Sequence, residues 1–310
     1  MASGPVKAVI DVGTNSVKFL AAAPRGGTLS VLTDEVKITR LGEGQGRRGA
    51  FGMKPMERTA AAIEVFARLA LGYGADAGAI VAVGTQAMRT ASNAGEFKIM
   101  VKKRCGLDIR VISGDEEASL SFRAASLNMP REAVVFDVGG GSSEAAFGSG
   151  GLLSWRCSVP IGALVLYERF FASSPGPYGM DAVGACRTFA ASEIRAYMDG
   201  APSPREGCDC AGVGGTFVTL ASVSAGGPRG REAGASLTSG EVERQIALYA
   251  SMNCESRKNI PGLRAERADI ILPGACIAAS LMDIFALGRL TVSARGLRHG
   301  VMDSMFDACV

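Results

Sequence analysis

Histidine and tryptophan are nearly missing from this sequence of 310 residues, which contains one of each. A single histidine, His299, excludes His-rich metal sites and leaves a Ser-His-Asp triad only one candidate base. His299 lies near the chain end between Arg298 and Gly300, so we expect it on the surface at a helix terminus. No Walker GxxxxGK[ST] motif occurs either, which disfavours a P-loop NTPase.

A strong net charge is missing too. Lys and Arg together number 33 against 30 Asp and Glu, which gives a formal net charge of +3. Proteins that bind nucleic acids or anionic membranes over a broad surface carry more charge of one sign, so we expect neither as a partner. Any anionic ligand would have to be held by local features of the fold.

Closely spaced cysteines and long uncharged apolar runs are also missing. The eight cysteines include no CxxC pair, so we expect reduced, mostly buried thiols and neither a disulfide framework nor a zinc site. Lys7, Asp11 and Lys18 interrupt the N-terminal apolar stretch, which argues against a signal peptide. The apolar segment 270–290 carries Asp283 and is typical of a buried helix, so we expect a soluble, cytoplasmic protein.

Glycine is in excess, with 41 residues, roughly twice its usual share. These glycines show no period of three, which excludes collagen, and a hydrophobic content of 47% excludes general disorder. The length exceeds the roughly 250–300 residues at which single cores stop growing. The sequence therefore predicts two domains.

One local pattern occurs twice, as DVGTNS at 11–16 and DVGGGS at 137–142. Each copy lies between two β-like runs and is followed by a third. Two copies of one unit imply two similar domains that face each other, with the paired turns lining a cleft. The predicted strands are Val6–Val12, Val17–Ala23 and Thr28–Thr33 around the first copy, and Ala133–Val138, Ser143–Phe147 and Leu152–Val159 around the second.

The rest of the chain predicts helices, short strands and two Gly-rich loops. The loops are 42–52, which we expect to be mobile, and 224–236, after which mainly helical sequence follows. Further strands are expected at Ile80–Val83, Ile109–Ile112 and Cys210–Val213. Helices are expected over Met56–Leu71, Gly95–Cys105, Ser113–Ala125, Gly162–Phe171 and Asp181–Met198, and from Gly214 onward.

The two repeated turns are candidate phosphate sites. Glycine turns with Ser or Thr at the tip expose successive backbone N–H groups, which bind phosphate oxygens. Asp11 and Asp137 precede the turns and would repel phosphate unless Mg²⁺ stands between. Two simple tight turns are the alternative. The second copy and the helix start Gly214-Gly215-Thr216, a further anion-friendly terminus, favour phosphate binding.

Several charged residues allow both a functional and a structural interpretation. Glu144 could orient a water or hold a metal, or it could be an exposed edge-strand residue. One acid of Asp115-Glu116-Glu117 could act as general base, but acids in a first helical turn also offset the helix dipole, and the residues alone favour that. Arg89 could bind phosphate or lie on the surface. A basic neighbourhood could guide a polyanion or be a solvated loop: Arg40, Arg47, Arg48, Lys54 and Arg58.

Several motifs together resemble one family. They are AVIDVGTNSVKFL (8–20), TRLGEG (39–44), AVGTQAMRTASN (82–93), VISGDEEASLSF (111–122), VVFDVGGGSSEAAFG (134–148), GVGGTFVTLAS (212–222) and GLRHGVM (296–302). In this order they resemble the exopolyphosphatase/guanosine pentaphosphate phosphatase family, in its short two-domain form. The resemblance implies an α/β fold of two similar actin-like domains, related to ribonuclease H, with an interdomain cleft.

The resemblance also implies residue roles. It places the catalytic base at Glu117, which reverses the preference stated above, and gives Glu144 a part in positioning water. It associates Mg²⁺, or Mn²⁺, with Asp11, Asp137 and Glu144. The substrate-binding positions are Thr14, Asn15, Ser16, Arg89, Gly139, Gly140, Gly141 and Ser142, together with the helix start Gly214, Gly215 and Thr216.

The implied reaction is hydrolysis of the terminal phosphoanhydride of inorganic polyphosphate, with release of orthophosphate. Guanosine pentaphosphate is the alternative substrate, because both activities share every motif; the short form and the basic segment favour polyphosphate. A non-catalytic alarmone or nucleotide-binding module is a further alternative, against which intact Glu117 and Glu144 argue. A sugar kinase is disfavoured, because no segment matches the Asp base it needs.

The expected domains are 1–125 plus 296–310, and 126–295. The resemblance further implies a homodimer. Chain-length preference and regulation by alarmones stay open at this point.

Overall fold

The computed structural model describes residues 4–26, 28–127, 129, 131–227 and 233–307. The chain divides into two compact units: unit 1 is Met1–Leu120 with Leu297–Val310, and unit 2 is Ser121–Gly296. The expected boundary after residue 125 is displaced to residue 120, inside a helix. Each unit has its own sheet and its own apolar core.

Unit 1 is built on five strands, whose bounds are β1 (Val6–Val12), β2 (Ser16–Arg25), β3 (Thr28–Ile38), β4 (Ala75–Gly84) and β5 (Ile109–Val111). Their order in the sheet is β3-β2-β1-β4-β5. The first three strands form antiparallel hairpins, and β4 and β5 run parallel to β1. Central β1 is buried from Ala8 to Val12, which explains its continuous apolar run.

The first helices of the chain are α1 (Gln45–Arg48), α2 (Met53–Gly72), α3 (Gln86–Thr90), α4 (Ala94–Cys105) and α5 (Gly114–Ala125). Helix α2 begins three residues before its predicted start, because Pro55 fits within a first helical turn. Its apolar face packs on the sheet, where the rings of Phe66 and Phe19 stack with centroids 5.0 Å apart. This contact fixes α2 over the β1–β2 hairpin.

Unit 2 repeats the same sheet with one extra strand. Its strands are β6 (Glu132–Val138), β7 (Ser143–Ser149), β8 (Leu152–Val159), β9 (Asp209–Val213), β10 (Ser236–Thr238) and β11 (Arg289–Val292). The order is β10-β11-β9-β6-β7-β8, in which β6, β7 and β8 form antiparallel hairpins and β9 and β11 continue parallel to β6. The order β8-β7-β6-β9-β11 therefore matches β3-β2-β1-β4-β5, and the predicted repeat is confirmed.

The helices of unit 2 are α6 (Ala163–Phe170), α7 (Met180–Tyr197), α8 (Gly214–Ser224), α9 (Ser239–Ala250), α10 (Cys254–Arg257) and α11 (Ile271–Ile284), with a 3-10 turn at Ala265–Arg267. Helix α11 is buried without interruption from Ile271 to Met282, as expected of a helix that is apolar on all sides. Throughout the described ranges, the helices are too short or too polar to cross a membrane.

The last helix, α12 (Leu297–Asp307), belongs to unit 1. Its Leu297 and Met302 pack against the β-sheet beside Val9 and Leu20. The expectation of a surface His299 is wrong: the side chain is buried, because α12 turns that face toward the sheet. His299 Nε2 lies 3.4 Å from Asp34 Oδ2 on β3.

Asp34 ties α12 to the edge strand β3. Arg298 donates from Nε and Nη2 to the two oxygens of Asp34 at 2.7 and 2.8 Å. Burial by itself raises the pKa of Asp34, but hydrogen bonds from His299 and Arg298 outweigh it and lower that pKa to about 2. Asp34 is therefore ionised at neutral pH and attracts both residues of the terminal helix.

Three other sequence expectations fail. Strands β10 and β11 lie at the end of the predicted second loop and in the part predicted to be mainly helical; they have three and four residues and depend on pairing with each other and with β9. Loop 42–52 contains α1 and is fixed by contacts described below. Among the seven cysteines that the structure describes, all are free but only Cys186 and Cys276 are buried, since the others lie near strand and helix ends; Cys309, like 228–232 of the second loop, lies outside the described residues.

Candidate active site

The first turn, residues 13–16, joins β1 to β2. Gly13 N donates to Ser16 O at 3.0 Å, which closes a tight hairpin. Thr14, Asn15 and Ser16 are all buried. The turn therefore has a single backbone shape, and its polar side chains are held within the protein.

A neighbouring segment holds this turn in place. Thr39 N and Arg40 N both donate to Asn15 O, at 3.1 and 2.9 Å. Gly42 N donates to Thr14 O at 2.9 Å, and a Cβ at Gly42 would overlap the Thr14 methyl group. The carbonyl groups of the turn are thus used by the segment that follows β3.

Asp11 lies at the end of β1, opposite Lys18 in the register of the hairpin. Lys18 Nζ is 2.9 Å from Asp11 Oδ2, and the carboxylate is 1% exposed. Lys18 compensates a charge that would be costly to bury alone. Our sequence analysis missed Lys18, although the hairpin register about Gly13 could have paired it with Asp11.

Buried polar atoms without partners gather at the first turn. Asp11 Oδ1, Asn15 Oδ1, Asn15 Nδ2 and Thr39 Oγ1 have no hydrogen-bond partner within the described part of the chain. Buried polar groups in native proteins nearly always find a partner, whether protein, water or ligand. The cluster thus offers both donors and acceptors to a small polar ligand or to ordered water.

Arg89 and Glu117 form an ion pair between α3 and α5. Arg89 Nη1 donates to Glu117 Oε2 at 2.8 Å, and Glu117 is 8% exposed. Arg89 also donates to Ile112 O at 2.9 Å and, from Nε and Nη2, to Gln86 Oε1 at 3.1 and 2.9 Å. The surface alternative for Arg89 is wrong, and its guanidinium orients the carboxylate of Glu117.

The three consecutive acids at the start of α5 have different surroundings. Glu116 is partly exposed and pairs with Arg110 at 2.6 Å, and its backbone N–H donates to Ser113 Oγ at 3.1 Å. Glu117 faces inward. Glu116 therefore contributes to the N-terminal end of α5 through Ser113. Glu117 is the one of the three acids that is buried, and its carboxylate is held by Arg89.

The second turn, residues 139–142, repeats the hairpin bond of the first. Gly139 N donates to Ser142 O, again at 3.0 Å. Ala163 N, at the start of α6, donates to Gly139 O at 2.9 Å. A Cβ at Gly162 would overlap the backbone of Gly140, so only glycine lets α6 approach this closely. The turn carbonyls thus face the first turn of α6.

The N–H groups of the second turn are left for other partners. Within the described ranges, the backbone N–H groups of Gly140 and Gly141 donate to no acceptor. Adjacent glycine amides in a turn form an anion-binding nest. This arrangement can accept phosphate oxygens.

Asp137 and Glu144 face each other across β6 and β7 in the position that Asp11 and Lys18 occupy in unit 1. Both carboxylates are buried, so the alternative of an exposed Glu144 is wrong. Ser121 Oγ donates to Asp137 Oδ2 at 3.2 Å, and Ser158 Oγ donates to Glu144 Oε1 at 2.7 Å. Directly opposed like charges repel each other, and a shared cation relieves that repulsion.

The start of α8 packs against the same strand end. Gly214 has φ of +86°, and a Cβ there would overlap Asp137 Oδ1, so glycine is required on both grounds. Thr216 Oγ1 donates to Val138 O at 3.1 Å. Gly214 therefore lies beside the carboxylate of Asp137, and Thr216 holds the start of α8 to the end of β6.

Arg267 is a further residue that the sequence analysis missed. A Cβ at Gly215 would overlap Arg267 Nη1, so this guanidinium lies against the start of α8. Arg267 ends the 3-10 turn and is distant in sequence from every motif quoted above. No local pattern distinguishes it from its exposed neighbours Arg264 and Glu266.

The basic neighbourhood divides into two parts. Arg48 donates to Glu43 O, and Arg58 pairs with Glu43 Oε2 at 3.0 Å. Arg47 and Lys54 are exposed. Part of this positive charge is thus used within the protein, and the remainder faces solvent.

The donor set for a divalent cation consists of carboxylates. The parts of the chain that the structure describes contain no group of three or more His, Cys, Asp or Glu side chains suited to a metal. Mg²⁺ commonly uses only one or two carboxylates, with waters and phosphate oxygens completing its shell. Asp137 and Glu144 fit that requirement. At Asp11, Lys18 already supplies a positive charge.

Three comparisons with known proteins agree with this geometry. The model of the Ppx/GppA phosphatase family matches residues 20–308. An uncharacterised protein of Streptomyces coelicolor is 30% identical over 95% of this chain and 88% of its own length. Exopolyphosphatase 1 of Mycobacterium tuberculosis is 25% identical over 97% of this chain and 88% of its own. The crystal structure of the Aquifex aeolicus member of the Ppx/GppA family superposes with a TM-score of 0.79, at 30% identity and 98% coverage of both chains.

Proposed function

The chain belongs to the Ppx/GppA phosphatase family, and from that premise we propose that it is an exopolyphosphatase that releases orthophosphate from the end of inorganic polyphosphate. Membership supports hydrolysis of a phosphoanhydride, in polyphosphate or in guanosine pentaphosphate. The observation that carries the proposal is the buried Glu117 carboxylate, held by Arg89 at 2.8 Å. A binding module without catalysis would not need to bury and orient this acid.

Glu117 acts on the attacking water in this proposal. Phosphoryl transfer passes through a loose transition state, so orienting the nucleophile matters more than removing its proton early. Arg89 fixes one oxygen of Glu117, which sets the direction in which the carboxylate accepts a proton from water. The residue therefore serves as an aligned general base.

Backbone amides and cations balance the charge of the phosphoryl group. The N–H groups of Gly140 and Gly141 and the hydroxyl of Ser142 are placed to take its oxygens. Arg267, beside the start of α8, adds a positive charge. Within unit 1, the polar atoms of Asn15 that lack partners offer a donor and an acceptor to a polar ligand at the first turn.

A divalent cation, Mg²⁺ or Mn²⁺, completes the proposed site. Asp137 and Glu144 would hold it, since their two buried carboxylates oppose each other. Its chemistry there is neutralisation of charge on the phosphoryl oxygens. Asp11 is a lesser candidate for this role because Lys18 already pairs with it.

Two features favour polyphosphate as the substrate. The curated relative from Mycobacterium tuberculosis is named an exopolyphosphatase. The exposed Arg47 and Lys54 suit a long polyanion more than a single nucleotide.

A substrate comparison tests this proposal. Orthophosphate release is measured with Mg²⁺ on polyphosphate and on guanosine pentaphosphate, with Glu117→Gln as the control for contaminating phosphatases. We expect kcat/KM to favour polyphosphate by at least about tenfold. A preference of that size for the nucleotide would instead make the protein a guanosine pentaphosphate phosphatase. Binding of either substrate without release would make it a sensor.

A further inference from the structure

The Gly-rich segment 39–52, which we call the brace, connects two parts of unit 1 that carry proposed site residues. Its first end holds the turn 13–16 through three backbone hydrogen bonds to Thr14 and Asn15, of 2.9 to 3.1 Å. Its composition predicts a mobile loop, yet Leu41, Gln45 and Phe51 are buried. These buried side chains anchor the brace in the protein.

Gln45 joins the brace to α3. Its Nε2 donates to Ala87 O at 2.9 Å and to Thr90 Oγ1 at 2.8 Å. These two partners lie on either side of Arg89 in the chain. The amide of Gln45 therefore holds α3 on both sides of Arg89, the residue that orients Glu117.

The far end of the brace makes three more contacts with the same region. Ser92 N donates to Gly49 O at 2.9 Å. Phe51 N donates to Asn93 Oδ1 at 2.8 Å, and Asn93 Nδ2 donates back to Phe51 O at 3.1 Å. Residues 86–93 are thus held by the brace along their whole length.

Helix α3 needs this external support. It has five residues, and a helix of one turn does not persist without tertiary contacts. Arg89 is its fourth residue, and the Arg89 guanidinium reaches Glu117 only if α3 keeps its place. A small displacement of catalytic groups is enough to cost one to two orders of magnitude in rate.

We propose that Gln45 is a positioning residue of the reaction, which acts on Glu117 through α3 and Arg89. This inference rests on the proposed function, since it gives Glu117 the role of base. Gln45 touches neither Arg89 nor Glu117 in the described contacts. Its effect on catalysis is therefore expected only through the contacts with Ala87 and Thr90.

The first test compares two glutamines. Gln245 in unit 2 is also buried, and its Nε2 donates to Leu220 O at 2.9 Å and to Glu241 Oε1 at 2.7 Å. Gln245 Oε1 also accepts from Tyr249 Oη at 2.6 Å, so Gln245→Ala removes one hydrogen bond more than Gln45→Ala and is the harsher change locally. We expect Gln45→Ala to lower kcat about tenfold or more with KM changed less than about threefold, and Gln245→Ala to leave both within about twofold. Equal losses in the two variants would overturn the proposal.

A mutant cycle with Arg89→Ala separates positioning from general loss of stability. If Gln45 acts through Arg89, adding Gln45→Ala to Arg89→Ala lowers kcat less than about twofold further. Fully additive losses would overturn the proposal. Thr90→Val removes one acceptor of Gln45 with little change in volume and provides a milder variant if Gln45→Ala does not fold; there we expect a loss of about two- to fivefold.

A measurement without substrate completes the test. Amide hydrogen exchange is followed over residues 86–93 in the wild type and in the variants Gln45→Ala and Gln245→Ala. We expect faster exchange in this segment for Gln45→Ala only. Unchanged exchange would overturn the proposal whatever the activity. If the wild type releases no phosphate from either substrate, the proposed function fails, and this exchange result still decides whether the brace positions α3.

Discussion

The two D-V-G-x-x-S turns share a hairpin hydrogen bond and differ in the residue that lies opposite the aspartate. Each joins an antiparallel hairpin, and in each the first glycine N–H donates to the serine carbonyl at 3.0 Å. Across the hairpin, Asp11 faces Lys18 at 2.9 Å, whereas Asp137 faces Glu144. The repeated sequence sets the fold of both turns, and the residue opposite the aspartate sets their chemistry.

The supports of the two turns differ as well. The brace donates N–H groups to the carbonyls of the first turn, and the start of α6 does so for the second. In the second turn this leaves the Gly140 and Gly141 amides available to an anion. The first turn therefore has a lysine opposite its aspartate, and the second has two carboxylates beside the amides that we propose bind phosphate.

The largest effect is expected at neither turn. In the proposed reaction the turns bind the phosphate groups of the substrate and Glu117 activates water. Glu117→Gln should therefore lower kcat by about 10² or more, while the dissociation constant for polyphosphate changes less than about threefold. Steady-state kinetics and calorimetric titration measure the two quantities. Turnover like that of the wild type would remove Glu117 as base and return water activation to a carboxylate of the turns.

The next largest effect is expected from substitution of the carboxylates near the two turns, which should change the Mg²⁺ requirement of activity for the second turn only. Asp137→Asn and Glu144→Gln each remove one carboxylate from the proposed cation site, so we expect kcat to fall about tenfold to a hundredfold. The Mg²⁺ concentration for half-maximal activity should rise in both. Asp11→Asn is the comparison, and its Mg²⁺ requirement should not change. A Mg²⁺ shift confined to Asp11→Asn would reverse the assignment.

Stability without metal should also differ between equivalent positions. Lys18→Met leaves the buried Asp11 charge uncompensated, and we expect a loss of about 2–3 kcal/mol in the free energy of unfolding. Glu144→Gln, at the matching register position, keeps a side-chain oxygen for Ser158 Oγ to donate to, and we expect a loss below about 1 kcal/mol. Urea unfolding in the presence of a chelator measures both. Equal losses would show that the two turns do not differ electrostatically.

The smallest effect is expected away from both turns, at Asp34. Its folded pKa of about 2 lies below its ordinary value of 3.8, so its stabilising contribution is complete above about pH 4 and is lost as the pH falls toward 2. Asp34→Asn should cost less than about 2 kcal/mol at neutral pH, because the side chain is partly exposed.

Thermal melting of the wild type and of Asp34→Asn between pH 2 and pH 7 checks this. The difference in Tm should narrow as the pH falls from about 4 toward 2, while kcat at neutral pH stays within about twofold. A difference that grows as the pH falls over this range would contradict the sign of the pKa shift.

Local sequence predicts most of the sheets. Strands β1, β2, β6 and β7 are apolar runs that stop at glycine turns, so periodicity and turn chemistry locate them. Strand β11 has four residues and lies between β9 and β10 because it pairs with both. These partners are distant in the sequence, so a local sequence pattern does not reveal the strand. Likewise, the glycines and arginines of the brace predict mobility, whereas Gln45 and Phe51 fix it through contacts with residues more than 40 positions away.

The candidate site was predictable in part. Asp137 and the glycines of the turns follow from the repeated motif and its chemistry, whereas Glu144 was given a site role only by the family resemblance. The residues alone did not separate Glu117 from Glu116, because burial decides between them and depends on how α5 packs. Arg89 was expected to face phosphate, yet in the described contacts it holds Glu117, Gln86 and Ile112. Arg267 reaches Gly215 only through the tertiary fold.

Hydrolysis in ¹⁸O-labelled water tests most directly whether water attacks the terminal phosphorus. Polyphosphate is treated with the protein and Mg²⁺, and the products are examined by mass spectrometry. We predict one ¹⁸O atom in each released orthophosphate and none in the shortened chain, because water attacks the terminal phosphorus and the bridging oxygen leaves with the chain. Label at the new end of the chain, or transfer of phosphate to another acceptor without labelled orthophosphate, would contradict the proposed reaction.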